Sequence, residues 1–486
     1  MRRPLVRRQA PLALFTLLTS ATALRCGDTE PAPACPTPLP EAITEAALVA
    51  HMDALAAIAA SHDGNRAAAS EGYTASLDYV EGLLKTAGYS THRQEFPIES
   101  FEVGEPAILA SLSPEPVDYV NGIDFFVAPF SAAGDISSTV TAVDLSLGLG
   151  NQSNSGCEEE DFVGFPSGDI ALVQRGACTY QTKEKNAAAA GAVGLLIFNQ
   201  GDTDDRQQAI SPRLSSAAQL PTLGLSYALG AEFADISIAD EGLQLHLIID
   251  AQVVINRTEN LLAELPGRND DGVIMIGAHL DSVPVGPGIN DNGSGSVATL
   301  ELGIQLARCE LQQPVRLAFW GAEELGLLGS SYYVEKLPSA AIEAIALYLN
   351  LDMIASPNSS RFLYDGDGSA FGEVGPPGSA EIESALAKAY DELDLATLET
   401  AFNGRSDYGP FIAAGVPSGG IFTGAEGQKS EAEVADFGGI TGPYDPCYHR
   451  SCDDGSNYDR LELLINTRAV ATIIQAYSLG HEPLPH

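Results

Sequence analysis

Basic side chains are scarce in this sequence of 486 residues, which has 25 Lys and Arg against 65 Asp and Glu. The net charge of −40 repels phosphate backbones and anionic lipid headgroups, so we expect neither nucleic acids nor acidic membrane surfaces as partners. Beyond its N-terminus the chain also lacks an apolar run of the roughly 20 residues that a membrane-spanning helix needs. We therefore expect a soluble mature protein without an integral membrane segment.

Apolar residues, in contrast, are plentiful and make up 45% of the chain. This fraction is far above that of a disordered acidic chain, so the protein is able to build sizeable cores. Its length is about three times the ~150 residues of a typical domain, which favours two or three domains.

The N-terminus has the composition of a secretory signal. Residues 2–8 carry four arginines, residues 11–18 are apolar, and Ala21-Thr22-Ala23 offers small residues for cleavage. We assign residues 1–23 to a signal peptide and expect a secreted protein, extracellular or periplasmic. A lipid anchor through Cys26 is a lesser alternative.

Export permits disulfides among the seven cysteines. Seven is an odd number, so at least one cysteine lies outside an intrachain pair. Cys309 falls within a helical pattern, and we expect it to be a buried, unpaired thiol. The pairs that we consider are Cys447 with Cys452, Cys157 with Cys178 and, as an open possibility, Cys26 with Cys35.

The pattern along the chain divides it into a helical start, an insert and a long α/β region. Residues 24–40 are rich in Pro, Ala and Thr and indicate a linker. Residues 41–100 begin with helical periodicity, and residues 101–250 are short β-rich runs between turns. Residues 251–486 alternate buried strands with helices, which predicts a mixed, mostly parallel sheet covered by helices on both faces.

Polar side chains follow three of the predicted strands directly, and two more motifs join them. Ligands of open α/β sheets gather outside the carboxyl ends of the strands, so these groups are expected to meet at one edge. They are His279 and Asp281 after VIMIGA, Asp291 in the turn GINDNGSG, Glu323 and Glu324 after VRLAFW, Asp352 after IALYLN, and Tyr448 and His449 between Cys447 and Cys452.

Imidazole and carboxylate donors without a thiolate suit Zn²⁺ or a similar divalent ion. The number of donors exceeds the needs of one zinc and is enough for two ions that share a carboxylate. Taken singly, each group has a plainer interpretation as a polar strand end, a turn or a helix cap. Together, adjacent buried carboxylates would repel one another without a cation.

The motifs GAHLDSV, GINDNGSG, FWGAEELGLLGS, NLDM, GRSDYGPF and YDPCYHRSCDD closely resemble the secreted bacterial leucyl aminopeptidases with a co-catalytic zinc pair. Residues 168–199, GDIALVQRGACTYQTKEKNAAAAGAVGLLIFN, resemble the protease-associated (PA) domain that some of these enzymes carry as an insert. The resemblance implies a zinc exopeptidase fold for residues 41–100 and 251–486, and a PA domain for residues 101–250.

The resemblance also implies roles for single residues. Two zinc ions per chain would share Asp291, and a cis peptide bond would follow it, before Asn292. The implied roles are His279 and Asp352 as further ligands of one ion, Glu324 and His449 as further ligands of the other, Glu323 as general base, Asp281 as the partner that orients His279, Tyr448 on the scissile carbonyl, and Arg405 near the substrate terminus.

These implications predict an aminopeptidase that removes apolar N-terminal residues from peptide substrates. A zinc carboxypeptidase of the same fold is the alternative within the enzyme class, although the chain is poor in Arg and Lys after Asn256 and Arg405 is the only Arg or Lys to which the resemblance assigns a substrate contact. A non-catalytic binding ectodomain is the alternative outside it, and the complete ligand set argues against that. The sequence makes no prediction of the oligomeric state.

Overall fold

The computed structural model describes residues 34–203, 206–239, 242–270 and 272–485. The predicted signal peptide, residues 1–23, and Cys26 lie outside the described residues.

The chain begins with helices that start at side-chain caps. Thr44 and Ser70 each accept a hydrogen bond from a backbone N–H three residues later, and Gly88 ends the third helix with a φ of +104°. The elements are α1 (Leu39–Ala42), α2 (Glu45–Ser61), α3 (Glu71–Ala87) and the long strand β1 (Ser90–Val103).

A second sheet with two helices follows β1. The predicted order of strand, helix and strand in residues 168–199 is confirmed by β6, α4 and β7. The elements are β2 (Ile108–Ser113), β3 (Val117–Asp118), β4 (Phe125–Val127), β5 (Gly134–Ala142), β6 (Ile170–Gln174), α4 (Tyr180–Ala189), β7 (Gly194–Phe198), β8 (Thr222–Leu225), α5 (Tyr227–Ile238) and β9 (Gln244–Ile249). They form one eight-stranded sheet in the order β3-β2-β9-β5-β6-β7-β8-β4.

The rest of the chain returns to the first sheet. Its elements are β10 (Ala251–Leu265), β11 (Val273–His279), α6 (Gly295–Leu306), β12 (Val315–Trp320), α7 (Leu328–Lys336), α8 (Ser339–Glu343), β13 (Ile345–Leu351), β14 (Phe362–Tyr364), α9 (Ser379–Asp391), β15 (Leu398–Thr400), α10 (Tyr408–Ala413), β16 (Ser418–Phe422), β17 (Gln428–Lys429), α11 (Glu431–Phe437), β18 (Gly442–Pro443) and α12 (Arg460–Ser478). Among the described residues, no helix combines the length and apolar character of a membrane span.

The first sheet has the order β1-β10-β12-β11-β13-β16-β14-β15. Its central strands β12, β11, β13 and β16 run parallel to one another, and the outer ribbon β1–β10 is antiparallel from the pair Ser90–Glu264 to the pair Val103–Ala251. This ribbon leads into the second sheet, whose first strand begins at Ile108.

Helices cover both faces of the first sheet, as predicted. On one face, residues of α2, α3, α6, α9 and α12 form a single apolar cluster with the strands. On the other face, aromatic residues of α7 and α10 pack on the sheet around Trp320 and Tyr348. The candidate site lies at the carboxyl ends of the parallel strands.

Three disulfides link Cys157 to Cys178, Cys447 to Cys452 and Cys35 to Cys309. The expectation of a free thiol at Cys309 is therefore wrong, and so is the possible pairing of Cys35 with Cys26. The backbone explains the difference, because the N–H of Glu310 donates to the carbonyl oxygen of Ala34 at 2.8 Å. The N-terminal segment thus runs beside the end of α6, which no local pattern predicts.

Candidate active site

Three neighbouring parallel strands end at the same edge of the first sheet. β11 ends at His279, β12 ends just before the turn that carries Glu323 and Glu324, and β13 ends just before Asp352. A cavity of about 640 Å³ opens there, and its lining includes these residues together with Asp291 and His449. Sheet topology therefore brings the predicted ligands to one place.

Asp291 lies between the two histidines. Its Oδ1 is 3.3 Å from His279 Nε2, and its Oδ2 is 3.2 Å from His449 Nε2. His279 Nε2 is also 3.4 Å from Asp352 Oδ1, and His449 Nε2 is 3.0 Å from Glu324 Oε2. Each oxygen of one carboxylate thus faces its own group of donors.

The donor set fits metal ions. His279, Glu323 and Asp352, and likewise His279, Asp291 and Glu324, offer donor atoms that lie within 4.8 Å of one another. The Oε1 atom of Glu324 is buried without a hydrogen-bond partner, as expected of an oxygen that binds a cation. Nitrogen and carboxylate oxygen without a thiolate are the ligands of catalytic zinc sites.

The pKa values of the metal-free site show how strongly these groups interact. Burial lowers the pKa of His449, but hydrogen bonds to Asp291 and Glu324 prevail and raise it to about 10. Burial, reinforced by the charge of Asp291, raises the pKa of Glu324 to about 7. Burial opposes protonation of His279 too, yet the carboxylates of Asp352 and Glu323 raise its pKa well above the usual value. In the absence of a metal ion, bound protons therefore offset the repulsion between these carboxylates, and a cation would replace them.

Asp291 is positioned by the turn that carries it. The peptide bond between Asp291 and Asn292 is cis, as the resemblance implied. The carboxylate of Asp453 accepts the backbone N–H groups of Asn290 at 2.8 Å and Asp291 at 3.0 Å, and the side chain of Asn292 donates to the carbonyl of Leu351 at 2.8 Å. These contacts connect the turn to the loop that carries Asp453 and to the end of β13. The motif YDPCYHRSCDD contains Asp453, but its sequence alone suggested no role.

Arg66 is a further residue that sequence reasoning missed. Its side chain is completely buried and donates to three backbone carbonyls: Leu280, Pro287 at 2.9 Å and Gly288 at 2.6 Å. Leu280 follows His279, and Gly288 is the first residue of the turn that carries Asp291. Arg66 therefore joins the two loops that carry these candidate ligands. Its segment NRAAASEGY resembles the same family, but sequence reasoning gave Arg66 no role.

Glu323 and His279 are both held through Asp281, which is fully buried. Its Oδ1 accepts the backbone N–H of Glu323 at 3.2 Å. His279 Nδ1 lies 3.1 Å from the backbone oxygen of Asp281 and 3.7 Å from its Oδ1, so the closer contact is to the backbone carbonyl. Donation from Nδ1 leaves the lone pair of Nε2 free for a metal ion.

Asp352 is held by residues of the motif GRSDYGPF. Ser406 Oγ donates to Asp352 Oδ2 at 2.5 Å and itself accepts from the side chain of Asn350 at 2.8 Å. The neighbouring Asp407 is fully buried, and burial raises the pKa of its carboxyl to about 7. Sequence reasoning used only Arg405 of this motif.

The remaining predicted residues lie on the rim of the cavity. The Cys447–Cys452 disulfide closes the loop that carries Tyr448 and His449, whose rings stack at a centroid distance of 3.9 Å. Burial and the nearby carboxylates raise the pKa of Tyr448, so its hydroxyl stays protonated. Arg405 is mostly exposed, and its guanidinium lies 4.0 Å from Glu426 Oε1.

The chain matches two known families. Residues 260–474 match Peptidase family M28, and residues 139–233 match the PA domain. The second match falls within the second sheet and its helices, and the first begins in β10 and ends in α12.

Curated relatives match most of the chain. An aminopeptidase of Pseudomonas aeruginosa is 46% identical over 449 residues, which cover 92% of this chain and 83% of the relative. Leucine aminopeptidase 2 of Trichophyton rubrum is 35% identical over 442 residues, which cover 90% of this chain and 85% of the relative.

Solved structures share the fold. An aminopeptidase from Aneurinibacillus sp. strain AM-1 superimposes with a TM-score of 0.70 at 22% identity, covering 92% of this chain and 98% of that one. A zinc aminopeptidase from Bacillus subtilis gives a TM-score of 0.62 at 24% identity, covering 90% of this chain and 95% of that one. The predicted fold class, an α/β exopeptidase sheet with an inserted PA domain, is confirmed, and so is the predicted class of enzyme, a metallo-aminopeptidase. The chain resembles an aminopeptidase over 92% of its length and carries a PA domain. It therefore belongs to peptidase family M28.

Proposed function

We propose that this protein is a secreted aminopeptidase with two zinc ions, which removes apolar residues from the N-terminus of peptides. The observation that carries the proposal is the position of Asp291, whose two carboxylate oxygens face different histidines at 3.3 and 3.2 Å. This position supports the proposal that one carboxylate serves two ions.

The ligand sets follow from this arrangement. His279 and Asp352 would complete the ligands of one ion, and Glu324 and His449 those of the other, with Asp291 common to both. Two zinc ions held in this way would act as Lewis acids toward the attacking water and the scissile carbonyl. All other steps belong to side chains of the protein.

Glu323 is the proposed general base. Its carboxylate lies at the border of both ligand groups, 4.0 Å from His279 Nε2, and burial raises its pKa well above the usual value. A carboxylate with a raised pKa is a stronger base, and it is able to take a proton from water and deliver it to the leaving amine. The hydrogen bond from the Glu323 N–H to Asp281 fixes its backbone.

Tyr448 is proposed to donate its hydroxyl hydrogen to the carbonyl oxygen of the substrate. It lines the cavity beside His449, and its raised pKa keeps the proton in place. A donor at the position where negative charge develops stabilises the transition state more than the ground state.

The cavity wall supports the proposed preference for an apolar first residue. Met353, Tyr364 and Phe422 line it and offer apolar or aromatic surface to a substrate side chain. Burial of such a side chain is favourable by about 25 cal/mol per Å² of apolar area, so larger apolar residues should bind better.

The charges of the cavity support recognition of an amine rather than a carboxylate. The lining of the cavity contains five carboxylates, and the cationic side chain among the lining residues, apart from the histidines, is Arg405. This arginine is mostly exposed and lies near Glu426. A carboxypeptidase needs buried cations for the substrate terminus, so the site favours a free α-amine.

We also propose the domain division and the location. Residues 41–100 and 251–486 form the peptidase domain and residues 101–250 the PA domain, which agrees with the change of sheet between Val103 and Ile108. Three disulfides are typical of proteins outside the cytosol, in line with the signal-like residues 1–23.

A panel of aminoacyl nitroanilides tests the proposal. Leucine, alanine, glutamate and lysine derivatives should be cleaved in the order of apolar area, with leucine fastest, and a chelator should abolish all cleavage. The N-acetylated leucine derivative is the control, because it keeps the side chain but lacks the amine. Cleavage of that derivative at the rate of the free amine, or turnover that resists metal removal, would contradict the proposal.

A further inference from the structure

A second cavity of about 860 Å³ lies beside the catalytic one. Its lining comes from both domains: Ile98 and Leu328 from the peptidase domain, and Phe130, Tyr180 and Leu214 from the PA domain. Gly326 lines both cavities. It has a φ of +108°, and a Cβ there would meet no atom within 4 Å, so it borders open space.

The second cavity adjoins the leaving-group side of the site. Gly326 follows Glu323 by three residues, and its backbone N–H donates to the carbonyl of Glu323 at 2.7 Å. If Glu323 protonates the leaving amine, the first residue of the leaving peptide lies beside Glu323. The residues that follow it would then run past Gly326 into the second cavity. This step rests on the proposed function.

Two arginines of the PA domain line this cavity. Arg175 is half-buried, with its guanidinium 3.4 Å from the side-chain oxygen of Asn199, and Arg213 is exposed above the ring of Phe130 at 5.3 Å. Within the part of the chain that the structure describes, neither has an ion pair with a carboxylate. The lining has one acidic residue, Glu99, so the cavity carries a net positive charge on a chain of net charge −40.

We propose that this cavity binds the leaving portion of the peptide substrate, and that Arg175 and Arg213 recognise a carboxylate on it. The apolar walls would accept the peptide, while the two guanidiniums would select its charge, since arginine pairs well with carboxylates. The carboxylate is either the C-terminus of a short peptide or an acidic side chain. The PA domain thereby becomes part of the substrate site.

Four peptides test this proposal on the zinc-loaded full-length enzyme. Leu-Ala-Ala-Ala as free acid and as amide isolates the terminal carboxylate. The amides of Leu-Ala-Glu-Ala and Leu-Ala-Gln-Ala isolate a side-chain carboxylate. We expect kcat/KM to favour at least one acidic member over its neutral partner by about three- to tenfold, mostly through KM, because these ion pairs are partly exposed.

The variants R175Q and R213Q, alone and combined, should reduce this preference, and the double variant should nearly abolish it. Hydrolysis of leucine nitroanilide, whose leaving group carries no carboxylate, should stay within twofold of wild type. The control is R206Q, which removes a PA-domain charge that pairs with Asp202 and does not line the cavity. Salt should weaken the preference in the wild type.

Equal kcat/KM for all four peptides in the wild type would overturn the proposal, as would a double variant with unchanged preference or an equal loss in R206Q. Failure of the proposed function has a different signature. In that case leucine nitroanilide itself is not cleaved by the zinc-loaded wild type.

Discussion

The carboxylate of Asp281 accepts the backbone N–H of Glu323 at 3.2 Å, although the two residues lie on different loops at the ends of neighbouring strands. Asp281 is the second residue after β11, and Glu323 is the third after β12. One buried carboxylate thus fixes the loop of the proposed base, while its own backbone oxygen orients His279. We propose that Asp281 is a positioning residue for both groups.

Replacement of Asp281 tests this arrangement. D281A removes the acceptor, and partners of metal-site residues typically contribute ~10–100-fold to activity or metal affinity. We expect kcat to fall by about that factor. D281N keeps an oxygen for the N–H of Glu323 and should lose less. Steady-state kinetics with zinc analysis checks both, and a D281A enzyme with wild-type kcat would contradict the assignment.

Arg66 should support metal binding as well as stability. R66K keeps the charge but loses the planar fork that reaches three carbonyls, each of which costs ~1–3 kcal/mol when left buried without a partner. We expect unfolding at lower denaturant and weaker zinc affinity. R468K is the matched control, since Arg468 donates twice to the carbonyl of Ile43 away from the cavity. R468K should lower stability without changing zinc affinity. An R66K protein with wild-type zinc affinity would refute the proposed role of Arg66.

The affinity for zinc should decrease as the pH is lowered. The metal-free site holds protons on His449, with a pKa of about 10, and on Glu324, with a pKa of about 7. Because zinc must displace these protons, affinity should decrease from pH 10 to pH 7 and more steeply below pH 7. Competition with a calibrated chelator from pH 5.5 to 9 measures this. A pH-independent affinity would show that the ligands are not protonated in the metal-free protein.

The three disulfides should differ in their effect on stability. Cys35 and Cys309 are 274 residues apart, whereas Cys447 and Cys452 are five apart. The loop-closure estimate gives about 6 kcal/mol for the first and about 2 kcal/mol for the second. Denaturant unfolding of C309S and C447S should show this order. C447S should instead lower zinc occupancy, because its loop carries His449, and the reverse pattern would contradict this division.

Local patterns sufficed to predict the fold and to identify which side chains meet. The buried runs ending at His279 and Leu351 indicated parallel strands, and polar residues directly after them meet at one sheet edge. Asp291 was recognisable from its glycine-rich turn. Their proximity is visible in the structure, while the roles of the single residues stay predictions.

The contacts that the sequence did not indicate are those made across long distances along the chain. Arg66 binds backbone carbonyls more than 200 residues away, and carbonyls carry no sequence signal. The Cys35–Cys309 bond depends on where the N-terminal segment runs relative to α6. The cavity between the domains depends on how two sheets dock, which the composition of neither sheet determines.

The central claim concerns the adjacent residues Glu323 and Glu324. We propose that Glu323 transfers a proton as general base and that Glu324 binds a metal ion. Glu324 Oε2 is 3.0 Å from His449 Nε2, within the proposed ligand group, whereas Glu323 lies at the edge of that group. E323Q keeps the size of the side chain and a hydrogen bond but is unable to accept the proton.

The most direct measurement is zinc content and kcat for E323Q and E324Q side by side, with folding checked by unchanged circular dichroism. E323Q should retain two zinc ions per chain and lose about 10²–10⁴-fold in kcat, the usual contribution of general acid–base catalysis. E324Q should lose zinc together with activity. An E323Q enzyme with near wild-type turnover, or an E324Q enzyme with both ions bound as tightly as in the wild type, would contradict the account.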